Sequence, residues 1–209
     1  KIVVFDPNLG NGVVTPAQDN AVWYPIKPAT NSALTMGMIR WIIDNKKYNE
    51  DFMSAPNLPQ AVKLGFNACT NATHLVIVDE QHPNYRHMMH PEDAGLPESE
   101  KENAFEEQYV CIDAATKQPA VSLDSDKGLM EWEGEVNGVK VRTAYLFIKD
   151  SANAHTIEEY SQACDVPVEV IEDVASEFVA HGTKSSVNGA GGVTSANGTD
   201  ATSCFSTLA

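Results

Sequence analysis

The sequence lacks the patterns that would place it directly in a membrane, at a zinc site or in a common nucleotide-binding class. It has no run of about 18 apolar residues and no basic segment ahead of a short apolar one, so it predicts neither a membrane span nor an export signal. Its four cysteines form no C-x-x-C pair, which excludes zinc-ribbon spacing and predicts buried free thiols. No G-x-G-x-x-G fingerprint is present, because Thr15 stands where the third glycine would fall.

Positive charge is also scarce. The chain has 14 Lys and Arg against 29 Asp and Glu, a formal net charge of −15. A basic stripe along a phosphate backbone needs more cations than this, so the composition predicts no nucleic-acid partner. Many acids lie between Glu92 and Glu107, and we interpret that stretch as a solvated insertion.

Apolar residues are plentiful enough to build a core. With 43% hydrophobic residues over 209 positions, the length suits one large α/β domain or two small ones. The chain begins at Lys1 without an initiator methionine and ends at Ala209 within helix-compatible residues. We therefore expect it to be an internal piece of a longer polypeptide.

The first 80 residues predict a Rossmann-like α/β layer. Apolar, β-branched runs predict strands at 2–5, 21–26 and 75–78, and helical periodicity predicts helices at 33–43, 49–53 and 58–66. Thr30, Asn31 and Ser32 are the cap candidates for the first helix.

The rest of the chain predicts an insertion and a helical return. Residues 81–108 predict a long loop, and strands at 109–112, 120–123 and 139–148, with Asn137-Gly138 as a turn, predict a small antiparallel excursion. Helices are predicted at 156–163 and 168–180, a short strand at 185–187, and a last helix capped by Thr199 or Asp200. The division is thus 1–80, 81–150 and 151–209.

One candidate site joins the ends of the first two strands. Loops at the carboxyl ends of neighbouring parallel strands converge on one crevice, where nucleotides bind in such folds. A base there needs acceptors such as Asp6 or the Asn31 amide oxygen, and phosphates could meet backbone N–H groups where the helix begins. From these residues alone, a plain turn followed by a capped helix is the competing interpretation.

These segments resemble a known family. The strand ending in Asp6-Pro7, the stretch from Trp23 to Thr30 and the helix with Ala33-Leu34 and Trp41 are similar to the molybdopterin oxidoreductases of the dimethyl sulfoxide reductase family, whose consensus here is D-P-R followed by P-G-T-D-x-A-L. Within that family the pattern looks closest to the catalytic subunits that reduce tetrathionate, with arsenate and polysulfide reductases as relatives. The resemblance covers roughly residues 1–55 and 139–209.

The resemblance implies a cofactor and a set of contacts. It implies molybdenum bis(molybdopterin guanine dinucleotide), with the guanosine end at Asp6, Asn8, Ala29, Thr30 and Asn31, and the pterin side at Gly191, Gly192, Asn197 and Gly198. The family's 4Fe-4S cysteines and metal-ligating residue would lie upstream, so the isolated chain has no catalytic or metal-ligating residue by this reasoning. Three positions depart from the family pattern: Asn8 replaces Arg, Ala29 replaces Gly, and Asn31 replaces Asp.

By the same resemblance, the chain is a cofactor-holding domain of a periplasmic, molybdenum-dependent terminal reductase of anaerobic respiration. Its substrate would be tetrathionate or a related sulfur oxyanion, and its partners an iron-sulfur subunit for electron transfer together with a membrane anchor subunit. The alternatives are an arsenate or polysulfide reductase relative and a non-catalytic Rossmann-like binding or interaction domain. The three departures favour the last.

Two further constellations carry less weight. His82, His87 and His90 could ligate zinc or copper, but their spacing fits no standard site and Pro83 interrupts any helix, so a polar loop is favoured. Ser203 and Cys204 have no G-x-S-x-G elbow that would predict a nucleophile.

Overall fold

The computed structural model describes residues 1–10, 18–101, 107–189 and 197–208 of a mixed α/β protein. It divides into two compact units: unit 1 comprises Lys1–Tyr48 and Ala152–Ala209, and unit 2 comprises Asn49–Ser151. The strands are β1 (Ile2–Phe5), β2 (Ala21–Tyr24), β3 (Leu75–Ile77), β4 (Val110–Ile112), β5 (Pro119–Val121), β6 (Glu133–Val136) and β7 (Val139–Thr143). The helices are α1 (Asn31–Asp44), α2 (Glu50–Ser54), α3 (Leu58–Lys63), α4 (Ala144–Asn153), α5 (Ile157–Cys164), α6 (Val168–Ala180) and α7 (Gly198–Leu208).

Unit 1 is built on α1 and a parallel strand pair. β1 and β2 run parallel, with Ile2 opposite Ala21 and Phe5 opposite Tyr24, so the chain leaves both strands at the same edge. α1 packs against α5, α6 and α7. The core joins α1 to the later helices: Ile26, Leu34, Met38, Ile42, Cys164, Val166, Ile171 and Ala175.

A glycine permits the close packing of α1. A Cβ on Gly37 would lie 3.3 Å from Tyr160 Cβ and 3.4 Å from Ile171 Cγ2. These distances are at the lower limit for carbon contacts, so the absence of a side chain at position 37 lets α5 and α6 pack against the α1 backbone.

Local signals set the ends of the helices in unit 1. Thr156 and Glu159 form a reciprocal capping box at the start of α5, and Asp165, its C-cap, adopts the left-handed conformation (φ 59°). α6 ends at Ala180 with His181 as its C-cap, and Gly182 at φ 52° then turns the chain.

Unit 2 is held by antiparallel pairs. β3, β7 and β6 form one sheet, and β4 pairs with β5. The β6–β7 turn, Asn137-Gly138, has φ values of 51° and 77°, as a type I′ hairpin turn requires. The core of unit 2 consists of Leu75, Ile77, Met89, Ala94, Val110, Ile112, Val136 and Val141.

Several sequence-based assignments are corrected. β3 was expected in the same layer as β1 and β2, but it pairs with β7 in an antiparallel sheet. The strand predicted at 139–148 ends at Thr143 and α4 follows, because Tyr145, Ile148 and Ala152 recur at helical spacing. Residues 185–187 belong to no strand in the described part of the chain.

The predicted helix caps also need correction. α7 begins at Gly198, which places Thr199 and Asp200 inside the helix instead of at its cap. At α1 the N-cap is Thr30, whose side chain makes no capping hydrogen bond. Its hydroxyl donates to the carbonyl of Lys27, 2.6 Å away, and is therefore directed back into the preceding turn.

The boundaries of the two compact units differ from those of the three predicted segments, which were placed at residues 80 and 150. As a division by role, the three segments stay a prediction. Within the described ranges, no helix is long and apolar enough to cross a membrane.

Candidate functional site

A cleft of about 840 Å³ lies in unit 1. Its walls come from β1, the loop between β2 and α1, the first two turns of α1, the second half of α6, residues 184–189 and the end of α7. Known ligand pockets have volumes of roughly 300–1,000 Å³, so the cleft is large enough for a sizeable part of a dinucleotide.

Asp6 is held at the edge of this cleft where β1 ends. Its backbone N–H donates to the Tyr24 carbonyl (3.3 Å) and its carbonyl accepts from Trp23 Nε1 (2.9 Å). Its Oδ1 accepts the backbone N–H of Asn8 at 2.8 Å. A carboxylate has about four acceptor positions, so this fixed side chain retains acceptor capacity for a base.

The loop between β2 and α1 is tightly constrained. The Lys27 N–H donates to the carbonyl of Cys164 at 2.9 Å, and the Thr30 hydroxyl donates to Lys27. Ala29 adopts the left-handed conformation, with φ of 64°. The family that the sequence resembles has glycine at this position, and glycine adopts such φ values without strain.

The start of α1 is suited to an anion. The 14-residue helix has no acidic residue in its first turn and no side-chain cap at Thr30. Its first N–H groups therefore keep their positive partial charge, which favours a bound phosphate.

Asn197 approaches this loop from far along the chain. Its Nδ2 donates to the Ala29 carbonyl at 2.9 Å and lies 3.4 Å from Ser32 Oγ. α7 begins at the next residue, so the N-termini of α1 and α7 lie beside the same turn.

The charge of the cleft differs from that of the whole chain. Its lining carries Lys1, Lys27 and Lys184 against Asp6 and Glu177, a small positive balance in a protein of net charge −15. Lys1 donates a hydrogen bond to Glu177, which raises the pKa of Lys1 and lowers the pKa of Glu177. Cations at the mouth of a cleft attract anionic ligands.

Aromatic surface completes the lining, with Phe5, Phe178 and Phe205 in its walls. A Cβ on Gly189 would collide with the Phe205 ring, so the backbone there lies directly against that ring. Aromatic faces are suited to stacking against a planar base.

The predicted cofactor contacts are distributed as follows. Asp6, Ala29 and Asn31 line the cleft, and Thr30 lies within the same turn. Asn8 is exposed just beyond β1, and Gly198 is buried at the first position of α7. Asn197 contacts the Ala29 turn, which was predicted to hold the guanosine end. Gly191 and Gly192 lie outside the described residues.

Sequence reasoning missed several lining residues. Lys27 was in the segment predicted to follow the second strand, but no contact was assigned to it; Pro25 and Ile26 separate it from β2. Lys184 and Phe205 carry no such local signal, because only tertiary packing brings α6 and α7 to the end of β1.

The histidines of residues 82–90 take structural positions in unit 2. His82 Nε2 lies 3.7 Å from Asp93 Oδ1, and His90 Nδ1 lies 3.1 Å from the Gln108 carbonyl. Across the part of the chain that the structure describes, no group of three or more His, Cys, Asp or Glu is arranged to hold a metal ion. Asp93 also accepts from the Asn84 amide and the His90 backbone, which closes the loop.

Comparison with known proteins gives clear relatives. No family model matches the chain. The chain is 33% identical over 204 residues to the A subunit of tetrathionate reductase from Salmonella typhimurium, covering 94% of this chain and 19% of that protein. It is 30% identical over 193 residues to the A subunit of selenate reductase from Mesobacillus selenatarsenatis, covering 90% and 17%.

A third relative is the A subunit of tetrathionate reductase from Archaeoglobus fulgidus, 29% identical over 164 residues, with 78% of this chain and 14% of that protein covered. The chain thus spans less than a fifth of the length of these curated relatives. Over most of its length, it is homologous to a segment of the A subunits of tetrathionate and selenate reductases.

Proposed function

We propose that the chain is the part of a molybdenum-dependent reductase of the dimethyl sulfoxide reductase family that holds the guanosine end of a molybdopterin guanine dinucleotide. The observation that carries the proposal is the cleft that runs along β1 to Asp6 and is also lined by the loop after β2 and by Asn31 at the start of α1. Homology to the A subunits of two kinds of reductase supports it.

The residues of the cleft fit such a group. Asp6 offers a fixed carboxylate to the N1–H and N2–H donors of guanine, and such charge-assisted bonds are among the strong ones. Lys27, Lys184 and the N–H groups of α1 fit a diphosphate. Phe178 and Phe205 give apolar surface for the base or the ribose.

This chain binds and orients the cofactor in the proposal. When bound, the cofactor supplies two-electron redox chemistry at a metal held by its dithiolene sulfurs. The parallel pair of β1 and β2 resembles the nucleotide-binding edge of a Rossmann-like layer. The predicted dinucleotide half is residues 1–80, of which residues 1–48 lie in unit 1. The 4Fe-4S cluster, the metal-ligating residue and the pterin contacts of Gly191 and Gly192 belong to the proposal for the full-length protein.

For the full-length protein we propose reduction of a small oxyanion of sulfur or selenium in the periplasm. The names of the relatives, tetrathionate and selenate reductase, support this substrate class. Electrons would arrive from an iron-sulfur subunit, which a membrane anchor subunit would hold in place.

A non-catalytic binding domain is the second candidate. The observation that favours it is the combination of Asn8, Ala29 and Asn31 at positions where the family has Arg, Gly and Asp. Asn31 in particular replaces a second carboxylate by an amide and so weakens the pairing with guanine.

The first experiment measures molybdenum and guanine dinucleotide in the purified parent protein, by elemental analysis and by mass spectrometry after acid release. We expect one molybdenum and two dinucleotides per polypeptide, followed by viologen-coupled reduction of tetrathionate or selenate. A folded parent that contains neither molybdenum nor dinucleotide would support the binding-domain alternative instead.

A second experiment tests the cleft itself. Asp6→Asn in the parent keeps the Oδ1 acceptor for Asn8 but removes the charge, so we expect dinucleotide retention to fall about tenfold, the equivalent of about 1.4 kcal/mol. Asp19→Asn is the matched control, because Asp19 is exposed at the amino end of β2, away from the cleft edge. Equal retention in both variants would place the guanine elsewhere.

A further inference from the structure

We infer that Asn197 is a positioning residue that holds the guanosine-end turn in its binding conformation, although its sequence context suggested a pterin contact. The inference rests on the proposed function, because it assigns a role to Asn197 at the same cleft. In this role Asn197 acts through its hydrogen bond to the Ala29 carbonyl.

The Asn197 amide nitrogen contacts that turn directly. A side-chain amide has two N–H donors. The Asn197 nitrogen donates to the Ala29 carbonyl at 2.9 Å and lies 3.4 Å from Ser32 Oγ, so it contacts both the turn and the first residues of α1. Asn197 is half-buried and immediately precedes α7, and the buried Gly198 and Ala201 fix that helix in unit 1.

The turn needs such support because it contains a strained residue. Ala29 has φ of 64°, a conformation that L-residues other than Asn and Asp rarely adopt. The family consensus has glycine there and needs no external restraint. Because alanine replaces glycine here, the hydrogen bond from Asn197 to the Ala29 carbonyl favours the strained conformation.

The conformation of this turn sets the positions of several residues that line the cleft. Ala29 and Asn31 line it, and Lys27 lies in the same loop. If the Ala29 peptide relaxes, the first N–H groups of α1 and the side chain of Asn31 move relative to Asp6. Loss of the Asn197 hydrogen bond is therefore expected to weaken dinucleotide binding without removing any group that touches the dinucleotide.

The test uses the full-length parent protein with Asn197→Ala, Ala29→Gly and the double variant. For Asn197→Ala we expect a three- to tenfold faster loss of guanine dinucleotide on dilution, roughly the range that one neutral hydrogen bond spans. The double variant should recover most of the wild-type retention, because glycine adopts the left-handed conformation without support. Asn45→Ala is the control: the Asn45 amide donates to the Trp41 carbonyl, 2.9 Å away, at the opposite end of α1.

Hydrogen–deuterium exchange over residues 27–34 gives a second measurement that is independent of enzyme activity. The exchange rate of these residues should rise in Asn197→Ala and return to the wild-type rate in the double variant. An anchoring role of Asn197 for α7 alone predicts no rescue, so an unrescued double variant overturns the inference, as does wild-type retention in Asn197→Ala. Absence of guanine dinucleotide from the wild-type parent is a distinct result, which removes the proposed function and this inference with it.

Discussion

The left-handed conformation of Ala29 predicts that Ala29→Gly stabilises the protein. An L-residue in this region costs about 1–2 kcal/mol, which glycine does not incur. Glycine also raises the conformational entropy of the unfolded chain, which offsets about 0.4–1 kcal/mol of that gain. Ala29 is exposed, so loss of its methyl group removes little buried surface. The net expectation is a gain of about 0.5–1 kcal/mol.

Urea unfolding followed by circular dichroism measures this difference. The matched control is Ala33→Gly: Ala33 lies in α1, where the helical conformation suits alanine, so glycine should lower the unfolding free energy by about 1 kcal/mol or more. The two variants make the same chemical change and should differ in sign. If both lower stability by similar amounts, the conformation assigned to Ala29 is wrong.

Three further predictions concern unit 2. Gly128→Ala should lower the stability of unit 2 by about 1–3 kcal/mol in urea titrations, because the added Cβ would lie 2.6 Å from Thr73 Cβ. Unchanged stability would mean that Thr73 can move aside. Burial lowers the pKa of His74, so its stabilising contribution is complete above the unfolded pKa of about 6.5 and is lost as pH falls through the lower folded pKa. His74→Gln should flatten this pH dependence of stability, measured as urea midpoints from about pH 8 to 5. A variant whose pH profile runs parallel to that of the wild type would contradict this prediction. Burial raises the pKa of Cys111 to about 12, so this thiol should resist alkylation at about pH 8 until the protein unfolds. Peptide mass spectrometry detects the labelled cysteine, and labelling of Cys111 in the native protein would show that the thiol is accessible.

The sequence predicted the elements whose signals are local. β1 and α6 have the predicted bounds, and α5, predicted at 156–163, is shifted by one residue, with Thr156 as its N-cap. The run at 144–148 misled the assignment, since a short apolar stretch fits a strand or a buried helix equally well. Periodicity alone does not separate the two.

What the sequence could not predict depends on contacts between distant residues. The pairing of β3 with β7 joins Leu75 to Thr143, and no pattern at either position names its partner. The hydrogen bond from Asn197 to Ala29 spans 168 positions. The segments that follow β1 and β2, with Asp6 and Lys27, were visible in the sequence, whereas the wall of the cleft that α6 and α7 form was not.

The division of unit 1 into two sequence segments has a consequence for biosynthesis. The apolar face of α1, with Leu34, Met38 and Ile42, packs against residues around Ile171 that leave the ribosome much later. At about 5–20 residues per second, the roughly hundred residues of unit 2 delay these partners by about 5–20 s. Unit 2 can therefore complete its core first, while α1 exposes a surface that chaperones bind. Slow translation of residues 49–151 should lengthen that exposure and raise the aggregated fraction of nascent chains.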